Sequence, residues 1–337
     1  MQTSYLSLAS FLIGALGIGW GVQSSSNEGL SGLTRDQREI LSHFSIEYLP
    51  DGAGGLNKTI RVTGVNLQIV NGLGATNGTG EYSTASQFAA NGTGNLIVGY
   101  DESVRSTQPG APLKLKTGSH NLVVGPFHLY TSWGGAAVGW EHGLEAPGGV
   151  LLGGSNNSLS TDPFGAVVGG QRSWARGGTV VGALDSLAEG SGSVFGGAYS
   201  YASGDSATVV GGLSGQARGR HSTVSGGLGN AASGPYATVS GGASNTALGR
   251  ESVVSGGINN RAPGRSATVS GGASNTASGR ESVVSGGRRN RARGRYATVS
   301  GGLSNTAAGN ESVVSGGRSR TAPGKFDWAA GALSEDE

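Results

Sequence analysis

The amino-acid sequence predicts an all-β protein, a parallel β-solenoid whose coils each take about 15 residues. Three observations predict this fold class: Gly-Gly pairs recur at a fixed step, small apolar residues recur in phase with them, and long phrases are copied almost unchanged. Residues 237–257 and 267–287 differ only at Leu248 and Ser278. Glycine accounts for 66 of 337 residues, which often indicates disorder, but a fixed repeat indicates a folded array.

The glycine pairs are predicted to form the corners of successive coils, because glycine tolerates positive φ angles. Pairs separated by 15 residues begin at Gly211, Gly226, Gly241, Gly256, Gly271, Gly286, Gly301 and Gly316. Upstream, equivalent glycines lie at Gly99, Gly125, Gly139, Gly153, Gly169, Gly182 and Gly196. These marks predict roughly sixteen coils, a rod about 75 Å long at the spacing of hydrogen-bonded strands. A helix is excluded because each Gly-Gly pair would cost about 2 kcal/mol relative to Ala-Ala.

Stacking the coils aligns small residues into columns that we expect to face a thin core. The valine column contains Val224, Val239, Val254, Val269, Val284, Val299 and Val314, and the alanine column contains Ala247, Ala262, Ala277, Ala292 and Ala307. A column alternating Thr and Val, such as Thr238 and Val253, is expected to join them. Asparagines at Asn230, Asn245, Asn260, Asn275, Asn290 and Asn305 are expected to form side-chain ladders. So thin a core predicts that identical copies pack against one another.

The remaining sequence divides into three further segments. Residues 1–32 form an apolar N-terminal segment, interpreted as a secretory signal or as an assembly element. Residues 33–94 are expected to cap the solenoid: Leu33–Phe44 reads as a short helix with a capping box formed by Thr34 and Gln37, and Lys58–Val70 as a strand. Alternatively, the same helix from three copies of the chain forms a short three-stranded neck. Residues 95–333 form the repeat domain, and residues 334–337 form an acidic tail.

Two polar insertions, Gly72–Gly94 and Tyr100–His120, are expected to project from adjacent coils as recognition loops or as contacts between subunits.

The sequence contains no pattern that predicts catalysis, a metal site or a cofactor. Cysteine is absent, which excludes thiol nucleophiles and zinc–thiolate sites. The five histidines do not lie at metal-ligand spacing, and no metalloprotease, serine-hydrolase or phosphate-loop motif occurs. No aspartate occurs between Ser206 and Phe326, which excludes the calcium-binding type of β-roll. We therefore predict a protein that is not an enzyme.

The phrase SVVSGGxxNxAxG, found for example at Ser252–Gly264, resembles the head repeat of YadA-like trimeric autotransporter adhesins. The resemblance covers about residues 95–333. It implies a left-handed parallel β-roll, a homotrimer and an adhesive role at the cell surface. Two departures are evident: Ser255 and its equivalents stand where that family has isoleucine, and the stalk and membrane-anchor barrel have no counterpart in these 337 residues.

Charge is unevenly distributed along the chain. Residues 211–325 hold 14 Arg and Lys against three Glu, a net charge of +11, whereas residues 1–210 carry −5. We predict a polyanion-binding surface formed by Arg250, Arg265, Arg280, Arg288, Arg289, Arg291, Arg293, Arg295 and Lys325. Acidic polysaccharide, lipopolysaccharide and the acidic end of a neighbouring rod are the candidate partners. Nucleic acid is a weaker candidate because stacking aromatics are scarce there; a solvated face that prevents aggregation is the alternative.

Two functions follow from these expectations. The first is a non-catalytic extracellular or cell-surface fibre, structural or adhesive, built from homotrimers that polymerise end to end into filaments. The second is the receptor-binding tail fibre of a phage or injection device that recognises a surface glycan.

Overall fold

The computed structural model of the protein describes residues 32–50, 52, 55–78, 89–102 and 115–331. The apolar segment predicted at residues 1–32 (apart from residue 32), the acidic tail and the central parts of both insertions lie outside the described residues. The chain divides into two compact units, residues 1–68 and residues 69–337.

The first unit contains one helix, α1 (Arg35–Ser42), followed by an antiparallel hairpin of β1 (Phe44–Pro50) and β2 (Leu56–Val62). The predicted capping box is confirmed: the Gln37 N–H donates to Thr34 Oγ1 at 3.2 Å, and the Thr34 N–H donates to Gln37 Oε1 at 2.8 Å. The strand expected to continue to Val70 ends at Val62. In the part of the chain that the structure describes, no helix is long and apolar enough to cross a membrane.

The second unit is built from two long parallel sheets. The first sheet has 16 strands: β3 (Leu96–Val98), β4 (Leu122–Val124), β6 (Ala136–Trp140), β8 (Val150–Ser155), β10 (Ala166–Val168), β12 (Thr179–Val181), β14 (Ser193–Phe195), β16 (Thr208–Val210), β18 (Thr223–Val224), β20 (Thr238–Val239), β22 (Val253–Val254), β24 (Thr268–Val269), β26 (Val283–Val284), β28 (Thr298–Val299), β30 (Val313–Val314) and β32 (Trp328–Ala329).

The second sheet has 14 strands. They are β5 (Leu129–Tyr130), β7 (Gly143–Leu144), β9 (Ser158–Leu159), β11 (Trp174–Arg176), β13 (Leu187–Glu189), β15 (Tyr201–Ala202), β17 (Gln216–Ala217), β19 (Ala231–Ala232), β21 (Thr246–Ala247), β23 (Arg261–Ala262), β25 (Thr276–Ala277), β27 (Arg291–Ala292), β29 (Thr306–Ala307) and β31 (Thr321–Ala322).

From β4 onward the chain alternates between the two sheets, so each coil contributes one strand to each. Successive coils pair in parallel and in register, as Val254 does with Val269 in the first sheet. Single bridges form a third ladder at the corner that follows the glycine pair, for example from Ile258 to Ala273. The predicted parallel β-solenoid with coils of about 15 residues is confirmed, with about 14 turns in place of the expected sixteen.

The core between the sheets is filled by the valine and alanine columns, whose members are fully buried. The alternating Thr and Val column, expected inside, lies instead on the outer face of the first sheet, where Thr238 and Val253 are half-buried. Neighbouring strand residues point to opposite sides, so Val253 faces outward because Val254 faces inward. The alternating column that does enter the core consists of Ser and Ala, as at Ser252 and Ala267.

Buried asparagines connect the coils along the same interior, as the sequence predicts. Asn260 Nδ2 donates to the carbonyl oxygens of Gly256 at 2.8 Å and Gly272 at 2.9 Å, and its Oδ1 accepts the Asn275 N–H at 2.9 Å. The same contacts recur from Asn230 to Asn305. The ladder therefore joins asparagine side chains to the backbone. It provides hydrogen-bond partners for backbone N–H and C=O groups that the two-residue strands do not pair.

Histidines replace asparagine in this column near the start of the solenoid. His128 Nδ1 accepts the His142 N–H at 3.1 Å, and His142 Nδ1 accepts the Asn157 N–H at 3.3 Å. Their Nε2 atoms lie 3.0 and 3.2 Å from the carbonyl oxygens of Val124 and Val138. Because each Nδ1 accepts a hydrogen bond, each Nε2 carries the proton of a neutral ring. The two buried rings stack with centroids 5.3 Å apart.

Candidate polyanion-binding surface

Each downstream coil presents four outer surfaces, which are well illustrated by residues 251–266. The face of the first sheet carries Val253 and Ser255. The first corner, after the glycine pair, carries Ile258 and Asn259. The face of the second sheet carries Arg261 and Pro263, and the second corner carries Arg265 and Ser266. Asn260, Ala262 and Gly264 point inward between these outer positions and are buried.

The structure places the nine predicted residues on more than one of these surfaces. All nine side chains are exposed. The second corner carries Arg250, Arg265, Arg280, Arg295 and Lys325. The first corner carries Arg288 and Arg289, and the face of the second sheet carries Arg291 and Arg293. The predicted residues therefore do not form one continuous column, and they differ in their surroundings.

The second corner has mixed charge. Arg250 Nε lies 3.0 Å from Glu251 Oε1, and Arg280 Nε lies 3.0 Å from Glu281 Oε1. Lys325 Nζ lies 4.3 Å from the centroid of the Phe326 ring. These carboxylates recur every second coil and neutralise part of the basic column. The second corner is therefore less attractive to an anion than its arginine count suggests.

The strongest concentration of positive charge is the arginine belt, defined as Arg288, Arg289, Arg291 and Arg293. All four lie on one coil. Their side chains point outward because the residues between them, Asn290 and Ala292, point inward and are fully buried. Arg289 occupies the corner with a φ of 58°, which turns the chain onto the second sheet. Arg295 continues the belt to the second corner, where its Nη2 donates to Tyr296 Oη at 2.8 Å.

The arginine belt lacks internal neutralisation. Within the described residues, no carboxylate oxygen lies within 4.0 Å of its guanidinium nitrogens. The only acidic residues between positions 243 and 325 are Glu251, Glu281 and Glu311, which all occupy the second corner. Arg291 and Arg293 lie about 6–7 Å apart along the strand direction. Their two positive charges repel each other at this distance. An anion that binds between the guanidinium groups would relieve that repulsion.

Arg261 and Arg318 were omitted from the prediction, and each shares a column with an arginine of the belt. Arg261 lies two coils before Arg291, with Thr276 between them in register. Arg318 lies two coils after Arg288, with Leu303 between them in the corner ladder. The sequence offered one signal, the 30-residue spacing of Arg261 and Arg291. Only the register of the coils shows that residues at this spacing lie in one column.

An apolar column occupies the first-sheet face of the upstream coils. It consists of residues paired one above another in the sheet: Val98, Val124, Val138, Leu152, Val168, Val181, Phe195 and Val210. Phe195 is 43% exposed and Val210 is 44% exposed, although both are large apolar residues. From Ser225 to Ser315 serine takes this position. The first-sheet face therefore changes from apolar to hydroxyl-bearing along the solenoid.

Among the described residues, no group of three or more His, Asp or Glu side chains is arranged to hold a metal ion. No protein-family model matches the chain, and no curated protein matches it.

Proposed function

We propose that the protein is a non-catalytic extracellular fibre protein, structural and adhesive, whose left-handed solenoid packs as a homotrimer and binds polyanions through the arginine belt. Acidic polysaccharide and lipopolysaccharide are the surface polymers with the required charge. The observation that carries this function is the set of unneutralised arginines on one coil of a regular scaffold. The repeat phrase shared with YadA-like heads supports the adhesive role and the trimer.

The apolar column supports packing between identical copies. An exposed apolar stripe that continues over eight coils is typical of an interaction surface. A second and a third copy, aligned in parallel, would place the same residues together about one axis. Such packing buries additional apolar surface, because the small Val and Ala side chains of the core bury little by themselves.

The arginine belt supports binding of an anionic polymer. Arginine forms paired hydrogen bonds with carboxylate, sulfate or phosphate oxygens. The parallel strands and the buried Asn290 fix the backbone from which the four side chains extend on one coil. A fixed array loses less conformational freedom on binding than arginines on a loop.

The belt is tested by giving its coil the residues of the preceding coil. The variant R288A/R289S/R291T/R293S introduces the side chains found at Ala273, Ser274, Thr276 and Ser278, so the fold is preserved. We expect at least about tenfold weaker binding to immobilised acidic polysaccharide or lipopolysaccharide, together with a weaker dependence on salt. The control R250N/R280N, which copies the residue at Asn310, removes arginines that already have carboxylate partners and should retain binding. Equal binding by the belt variant would refute the proposal.

End-to-end polymerisation is proposed from the large aromatic side chains around the last described strand. Trp328, in the last described strand, is 66% exposed, and Phe326 at the adjoining corner is 63% exposed. Electron microscopy of the purified protein tests this step. Long filaments support it, whereas discrete rods of uniform length contradict polymerisation and leave both an adhesive fibre and the receptor-binding tail fibre open.

A further inference from the structure

Two neighbouring columns around the belt each hold a pair of arginines separated by two coils. In the second sheet the order is Arg261, Thr276, Arg291, Thr306, Thr321. In the corner ladder the order is Ile258, Ala273, Arg288, Leu303, Arg318. The arginine-bearing coils are therefore those of β23, β27 and β31, and the coils between them present no charge on this surface.

We infer that this surface binds a linear acidic polysaccharide with one anionic group per disaccharide, extended along the solenoid axis. The inference rests on the proposed polyanion binding and specifies the spacing and direction of the ligand. Two coil steps measure about 10 Å, and the three arginine-bearing coils span about 19 Å. Two linked pyranose rings of an extended polysaccharide advance by about the same distance as two coils. Successive anionic groups then meet successive arginine coils.

The coils between the arginines suit the uncharged parts of such a chain. They present Thr276 and Ser278 on one coil, and Ser304 and Thr306 on another. Their hydroxyls both donate and accept hydrogen bonds, as sugar hydroxyls do. The surface thus alternates guanidinium groups with hydroxyl groups, in the order in which a polymer of acidic and neutral sugars alternates.

Polymers with more closely spaced charge fit this surface less well. A polysaccharide with a carboxylate on every sugar places half of its charges opposite the neutral coils. A single-stranded nucleic acid also needs aromatic side chains for stacking, and Tyr236 and Tyr296 lie at the second corner, away from the arginine columns. We therefore expect the spacing of charge, beyond its total amount, to determine the affinity.

The test moves the belt by one coil while keeping the net charge. The belt-shift variant A273R/S274R/T276R/S278R/R288A/R289S/R291T/R293S exchanges the outer residues of two adjacent coils. Each substituted residue already occurs at the equivalent position of a neighbouring coil, so the inward columns are unchanged. The shift places the belt one coil from Arg261 and three coils from Arg318, which abolishes the two-coil period. A thermal melt like that of the wild type verifies folding.

Binding is measured with hyaluronan, which has one carboxylate per disaccharide, and with polygalacturonate, which has one on every sugar. We expect the shift to weaken hyaluronan binding about tenfold and to change polygalacturonate binding by less than about twofold. Equal hyaluronan affinities for both proteins would overturn the spacing inference and leave polyanion binding intact. If neither polymer binds the wild type at low salt, the proposed function fails as well.

Discussion

At the second glycine of each pair, the backbone of one coil approaches the next so closely that a side chain cannot fit. A Cβ atom on Gly257 would lie 2.1 Å from the carbonyl oxygen of Gly272, and the φ angle of Gly257 is +85°. The first glycine differs, because a Cβ atom on Gly256 would meet nothing within 4 Å. The sequence shows both glycines equally, so it cannot reveal which one the fold requires.

We predict that G257A lowers the free energy of unfolding by about 3 kcal/mol, from backbone strain and overlap with the next coil. The neighbouring variant G256A is the matched control and should change stability by no more than about 0.5 kcal/mol. Urea unfolding followed by circular dichroism measures both. Similar losses for the two variants would contradict the close approach seen at Gly257.

At the scale of the element, the coil is the unit that the sequence predicts well. Fixed glycine spacing and the Val and Ala columns are sufficient to define it, because each coil repeats the backbone path of its neighbour. The side of the strand that faces the core is harder to predict. Val253 and Val254 are adjacent and equally apolar, and two-residue strands contain too little alternation to distinguish inside from outside. This explains why the alternating Thr and Val column was wrongly placed in the core.

The register of the coils predicts that two of them can be removed without loss of the fold. Deletion of residues 251–280 joins Arg250 to Glu281, which reproduces the local sequence of Arg280 and Glu281. We expect a folded protein with the same far-ultraviolet circular dichroism per residue. Deletion of residues 251–258 is the control, because it removes half a coil and breaks the register. If both deletions fold equally well, the coil is not the structural unit.

At the scale of the whole molecule, the sequence shows that basic residues are concentrated in the downstream part of the chain but not which of them share a surface. One coil passes through two faces and two corners, so Arg289 and Arg295 are near in sequence but lie on different surfaces. Arg261 and Arg291 are 30 residues apart and share one column. The register of the coils thus determines which residues are neighbours in space. The 15-residue repeat indicates that register, and the structure shows which face or corner each residue occupies.

The surface of the whole solenoid also predicts how copies associate. The variant L152S/V168S/F195S introduces into the apolar column the serine that downstream coils carry from Ser225 to Ser315. We expect it to abolish association, because three large apolar side chains leave the shared surface. The control V253T/V283T copies Thr238 and Thr268 and leaves the apolar column intact. Size-exclusion chromatography with light scattering distinguishes the variants, and an associated serine variant would exclude this face as the contact.

The most direct test of the account is the mass of the wild-type protein by sedimentation equilibrium over a range of concentrations. The account predicts a smallest species of three times the 33.4 kDa chain mass, with any larger species a whole multiple of that trimer. A stably folded species at the mass of one chain, unchanged across all concentrations, would contradict it.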